Sequence, residues 1–116
     1  MQNYMLIIKG NEPGYVNRPK EEQAIIMRKY GEFVDTLKTE HGFSGGAALN
    51  SAGSELTPTQ GRVVVDGPFA ETKEVVSGYF VYKAESMDAA IKVAKQCPAI
   101  TEQNLPCQIF ELLFQC

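Results

Sequence analysis

The chain has 116 residues, 44% of them apolar and 22% charged, with a net charge of −3. That balance fits one folded domain, residues 1–116, and excludes a disordered chain or a nucleic-acid binder, whose affinity comes largely from cations on phosphates. The first apolar run, residues 4–8, is too short for a signal-peptide core or a membrane span, so the expected location is the cytoplasm, with no membrane partner.

Residues 3–9 are apolar and β-prone and predict a strand. Residues 10–19 carry Gly10, Pro13, Gly14, Asn17 and Pro19 and predict a loop. Pro19 suits the first turn of a helix, and Glu21 and Glu22 favour the positive end of its dipole. That helix is expected to reach about Glu40, because Ile26, Tyr30, Phe33, Val34 and Leu37 recur as one apolar stripe. Gly31 lies inside it at a cost of about 1 kcal/mol relative to Ala. Gly42 stops it.

Residues 43–50 predict a strand whose small residues, Gly45 and Gly46, let something approach its backbone closely. Residues 51–61 read as a polar connector, and residues 62–66 as a β-branched strand. Residues 75–85 form another strand. Ser86 caps a second helix with Met87, Ala90, Ile91 and Ala94 as its buried stripe, ended by Pro98. Residues 99–106 read as a loop and 107–114 as the last strand.

The order of elements predicts an α+β fold: a ferredoxin-like split βαβ antiparallel sheet with two helices on one face and one middle strand as a hairpin extension. The strands do not alternate as a half-wet sheet should. Met5 and Ile7 oppose Tyr4, Leu6 and Ile8, and Tyr79 and Val81 oppose Phe80 and Tyr82. Two helices cover one face, so a second copy on the other face, giving a homodimer, is the expected cover.

The three cysteines, Cys97, Cys107 and Cys116, are an odd set without a C-x-x-C pair and read as reduced thiols. His41 is the sole histidine. With no metal-ligand spacing and no phosphate-cradling glycine loop, neither metal nor cofactor is expected.

The densest chemistry lies at Val65-Asp66-Gly67-Pro68-Phe69-Ala70-Glu71-Thr72-Lys73-Glu74. Together with Gly78-Tyr79-Phe80, Met87-Asp88-Ala89-Ala90-Ile91 and Cys97-Pro98, it resembles the DGPF branch of the YCII-related family. The opening Tyr4-Met5-Leu6-Ile7-Ile8 and the Gly45-Gly46 turn fit as well. The resemblance implies a ferredoxin-like fold paired into a dimeric α+β barrel, in bacteria, with some members encoded near or fused to extracytoplasmic-function sigma factors. It also implies a suggested catalytic His–Asp pair. The Asp carries over as Asp66. The histidine position falls near residues 28–30, where this chain has none, and the last strand reads Gln108-Ile109-Phe110-Glu111 in place of an expected basic residue.

Asp66 has two readings. It caps its own Gly67-Pro68 turn through backbone N–H groups, or it is a general base or ligand anchor in a cleft. Arg62 shares its face by the two-residue period and is either its ion-pair partner in a pocket or a solvated edge charge. Lys73 is an anion-binding candidate or a solvated charge, and Thr72 a turn or ligand hydrogen-bonder. Tyr79 lines a cavity or joins the core. His41 and Tyr30 are weaker catalytic candidates, His41 reading first as a helix C-terminal residue interacting with the dipole and only second as a proton carrier. The expected function is a small-molecule-binding or regulatory homodimer. A small-molecule enzyme of lyase, isomerase or hydrolase type using Asp66, and a protein partner of sigma-factor-dependent transcription, stand as alternatives.

Overall fold

The computed structural model describes residues 1–10, 17–50, 53–66 and 75–115, with the backbone alone at Asp66. Its strands are β1 (Gln2–Lys9), β2 (Gly45–Ala48), β3 (Glu55–Thr59), β4 (Arg62–Asp66), β5 (Val76–Ala84) and β6 (Cys107–Glu111). Its helices are α1 (Lys20–Glu40), α2 (Met87–Ala94) and α3 (Pro98–Thr101). The main sheet has the order β2–β5–β1–β6, and every pairing in it is antiparallel. This is the ferredoxin-like arrangement expected, with the helices on one face.

Alternation along β1 decides what that face holds. Tyr4, Leu6 and Ile8 are buried, while Asn3, Met5 and Ile7 are half-buried on the other side. The first set joins Tyr82 and Ala84 of β5, Phe33 and Leu37 of α1, and Ala90, Val93 and Ala94 of α2 in one core. Leu37 and Tyr82 are wholly buried. Each such large apolar side chain contributes about 1.5–3 kcal/mol relative to exposure. The Tyr82 hydroxyl donates to the Ala90 carbonyl at 2.7 Å, pinning α2 to β5 and satisfying the polar end of a buried ring.

α1 buries Ile26, Phe33 and Leu37 of the expected stripe. It ends where Gly42 turns at φ +55°, a conformation that favours glycine, and the Phe43 amide donates back to the Leu37 carbonyl at 3.2 Å. Ser86 caps α2 as expected, its hydroxyl accepting from the Ala89 amide at 3.1 Å.

Four features differ most from the sequence reading. The buried face of α2 is Ala90, Val93 and Ala94, with Met87 exposed and Ile91 half-buried, because the helix is rotated toward Val93. Pro98 does not end a helix but opens α3, since a missing N–H costs nothing in a first turn. β6 stops at Glu111 rather than at residue 114.

The fourth difference is the largest. Residues 55–59, expected as connector, form β3, paired with β4 through a two-residue turn. Both turn residues, Gln60 and Gly61, have positive φ, the geometry that matches strand twist. Pro58 masked this strand in the sequence, because proline is tolerated only where a strand lacks a neighbour on that side. Neither β3 nor β4 joins the main sheet, so both middle strands, not one, make the extension. The molecule measures 47 × 40 × 19 Å with a radius of gyration of 15.9 Å, against about 13 Å for a compact chain of this length. No helix among the described residues is long and apolar enough to cross a membrane.

Candidate ligand cavity

α1 does not close over the β2–β5 edge of the sheet. Between them lies a cavity of about 710 Å³. Met27, Tyr30, Gly31, Val34, Asp35 and Lys38 of α1 form one wall, repeating at helical spacing. Gly46, Ala47 and Ala48 of β2 and Ser77, Gly78 and Phe80 of β5 form the floor, with Ile8, Phe43, Gln103 and Leu105 at the ends.

Absent side chains shape this space. A Cβ on Gly31 would meet nothing within 4 Å, so its hydrogen leaves the helical wall open. A Cβ on Gly46 would stand 2.8 Å from both the Phe80 ring and the Tyr79 carbonyl oxygen. The close approach expected at the Gly45-Gly46 pair is therefore that of Phe80. Freed to lie over β2, Phe80 gathers an aromatic cluster: Tyr30 stacked at 6.3 Å, Phe33 edge-on at 5.4 Å and Phe43 tilted at 6.5 Å between centroids.

The polar groups are few and sit at the rim. The Tyr30 hydroxyl donates to Gln103 Oε1. One residue back, outside the cavity lining, Lys29 Nζ donates to Glu102 Oε1 at 2.7 Å. Two neighbouring residues of α1 thus hold two neighbouring residues of the segment before β6. The Lys29 hydrogen bond keeps the Glu102 carboxyl below its ordinary pKa, against a smaller opposing effect of burial. Asp35 and Lys38, one turn apart, bring one charge of each sign to the α1 wall. A mostly apolar, aromatic cleft with a few placed polar groups is the usual make-up of a small-molecule site.

Of the candidate site residues that the structure describes, Tyr30 lines this cavity, and His41, Arg62 and Tyr79 do not. His41 caps the end of α1. Its amide donates to the Leu37 carbonyl at 3.0 Å, its carbonyl accepts from the Lys83 amide at 2.7 Å, and its ring meets Tyr82 edge-on at 6.5 Å. Tyr79 is half-buried on the opposite face of β5 from Phe80. Arg62 is exposed at the β3–β4 turn, so at that position the hairpin face does not turn inward. The Asp66 side chain and residues 67–74, with Thr72 and Lys73, lie outside the described residues, as does Cys116. Cys97 and Cys107 are free thiols, and burial pushes the Cys97 thiol up to about 12, which removes it as a nucleophile. The described residues hold no group of three or more His, Cys, Asp or Glu side chains placed to bind a metal.

Asp35, Lys38, Phe43, Phe80 and Gln103 were not foreseen as site residues. The available signal was Gly31, a costly glycine in mid-helix, together with Gly46 and Gly78 in strands that must face it.

A split βαβ sheet with an aromatic cleft under its first helix defines a small α+β protein built to enclose space on one side of the sheet. The family model for the YCII-related domain matches residues 2–108, and the chain belongs to that family. It is 35% identical over 80 residues, 66% of this chain, to the uncharacterized protein R00369 of Rhizobium meliloti (strain 1021), of whose length it spans 64%, just under two thirds. Among solved structures it is similar to 5-chloro-2-hydroxyhydroquinone dehydrochlorinase (TftG) from Burkholderia phenoliruptrix AC1100, in complex with 2,5-dihydroxybenzoquinone. The TM-score is 0.54 at 14% identity, over 97% of this chain and 95% of that one. At that identity the likeness is one of fold.

Proposed function

We propose that this YCII-related chain, of the DGPF type by its residues 65–74, is a homodimer that binds a small molecule in the cleft between α1 and the β2–β5 edge. The observation that carries the reading is the cavity itself. Its 710 Å³ is of drug-sized-ligand scale, and its lining pairs the Phe80 and Phe43 rings with Tyr30, Gln103, Asp35 and Lys38 at the rim. Such a lining suits a flat, partly apolar ligand with one or two polar substituents: the rings take its faces and the rim groups fix its orientation.

The Tyr30 hydroxyl favours a second reading, an enzyme of lyase or isomerase type. It lies in the cavity lining and is held there by its hydrogen bond to Gln103 Oε1, an ionisable hydroxyl in a fixed position beside any bound ligand. In that reading Asp66 acts as the acid/base and Tyr30 assists it. The bound quinone named for the dehydrochlorinase is of the ligand type that the cavity suits, although fold likeness alone assigns no chemistry.

A thermal-shift screen of a metabolite library on wild type, Tyr30→Phe, Lys38→Met and Asp66→Asn tests both readings. A hit whose shift is lost in Lys38→Met or Tyr30→Phe supports binding in the cleft. Hits that survive both substitutions place binding elsewhere and defeat it. Turnover of a hit by wild type and not by Tyr30→Phe supports the enzyme reading.

A further inference from the structure

The β3–β4 hairpin is an arm with an apolar side that no other described element pairs with or buries. Its register puts Leu56 opposite Val65 and Pro58 opposite Val63, so these four share one face. Leu56, Val63 and Val65 are 65%, 60% and 63% exposed. A lone two-stranded hairpin is marginal in water even with a good turn. This one spends three β-branched residues, Val63, Val64 and Val65, on solvent.

A second apolar surface lies on the main sheet, opposite the helices; Val81 at its centre is buried, and Met5, Ile7 and Tyr79 are half-buried. Met5, Ile7, Tyr79, Val81 and Phe110 face that way, and none belongs to the core on the helical side. Phe110 is half exposed, Leu113 and Phe114 just beyond it are largely exposed, and Asn3 Oδ1 on the same side is buried without a hydrogen-bond partner among the described residues. The exposed apolar side chains of arm and sheet side together offer area on the order of the ~800 Å² per partner that a stable dimer covers.

We infer that the arm of each copy seats its Leu56–Pro58–Val63–Val65 face on the free side of the main sheet of a second copy. The inference rests on the homodimer reading and adds who covers what. A two-fold axis covers both apolar surfaces of both chains in one step, since each copy supplies one arm and one sheet. The arm is rooted just past β2, whose Gly46, Ala47 and Ala48 wall the cavity. Seating it therefore steadies the cavity floor that β2 forms.

The chain has no tryptophan, so Val63→Trp places a single tryptophan, excited selectively at its red edge, on the arm. Its emission is read beside the mass from light scattering across a dilution series. A dimeric mass with blue-shifted emission that turns red on dilution supports the inference. A dimeric mass with water-like emission overturns the arm and leaves the dimer standing. A monomeric mass at every concentration overturns both. Val63→Lys/Val65→Lys provides the second arm of the test. These residues are exposed in the single chain, so the variant keeps its circular dichroism while its dimer dissociates at least tenfold more readily. An unchanged dissociation constant overturns the arm.

Discussion

Tyr30 and Gln103 are joined through their side chains, one residue along from the Lys29–Glu102 ion pair. The two contacts clamp the middle of α1 to the segment that leads into β6. That segment also ends the cavity through Leu105, so the clamp sets how far α1 stands from the sheet.

Acid should release half of this clamp. Glu102 is held below its ordinary pKa by Lys29, so its contribution is full above the unfolded value near 4.5 and is lost as pH falls through the lower folded value. Urea titrations of wild type and Glu102→Gln should differ at pH 7 and converge well below pH 4.5. A gap that persists at pH 3 would exclude the ion pair as its source.

Gly46→Ala should destabilise the fold by about 1–3 kcal/mol, because the new methyl meets the Phe80 ring and the Tyr79 carbonyl at 2.8 Å and the backbone oxygen cannot retreat. Urea unfolding measures the loss. The same change should weaken any ligand of the cleft by displacing Phe80.

Gly31→Ala should do the reverse. Its Cβ enters open space, and the helix gains about 1 kcal/mol from the removal of a mid-helix glycine. The expected outcome is a higher urea midpoint with an unchanged m-value.

Tyr82→Phe should lose about 1 kcal/mol or more, since the Ala90 carbonyl would keep no side-chain donor. Burial holds the Tyr82 hydroxyl above its ordinary pKa, so it stays a donor and the loss should not change between pH 6 and pH 9.

The main sheet and both longer helices were legible because their signals are local. β1 is a compact apolar run, α1 repeats its apolar stripe over about three turns, and Ser86 marks where α2 begins. The β3–β4 arm was half hidden by Pro58 and by a Gln-Gly turn, less distinctive than Asn-Gly. The cavity was hidden for another reason. A cavity is made of what side chains leave empty, and Gly31, Gly46 and Gly78 acquire that meaning only when α1 is laid over β2 and β5. Tyr30 was picked out as an aromatic on the inward stripe, whereas Asp35 and Lys38 look like ordinary solvated charges until the helix lifts off the sheet edge.

The sheet order has a consequence for how the chain is born. β1 sits at the interior of the sheet, yet Gln2 pairs with Ala84 and Tyr4 with Glu111. A ribosome adding about 5–20 residues per second leaves roughly 5–20 seconds between the emergence of Tyr4 and that of Glu111. Until β5 is made, the apolar strand β1 has neither neighbour, and its second side stays open until β6 follows. Completion of the sheet therefore waits for β6. The nascent chain offers Tyr4-Met5-Leu6-Ile7-Ile8 to any chaperone or stray strand edge long before its own partners arrive.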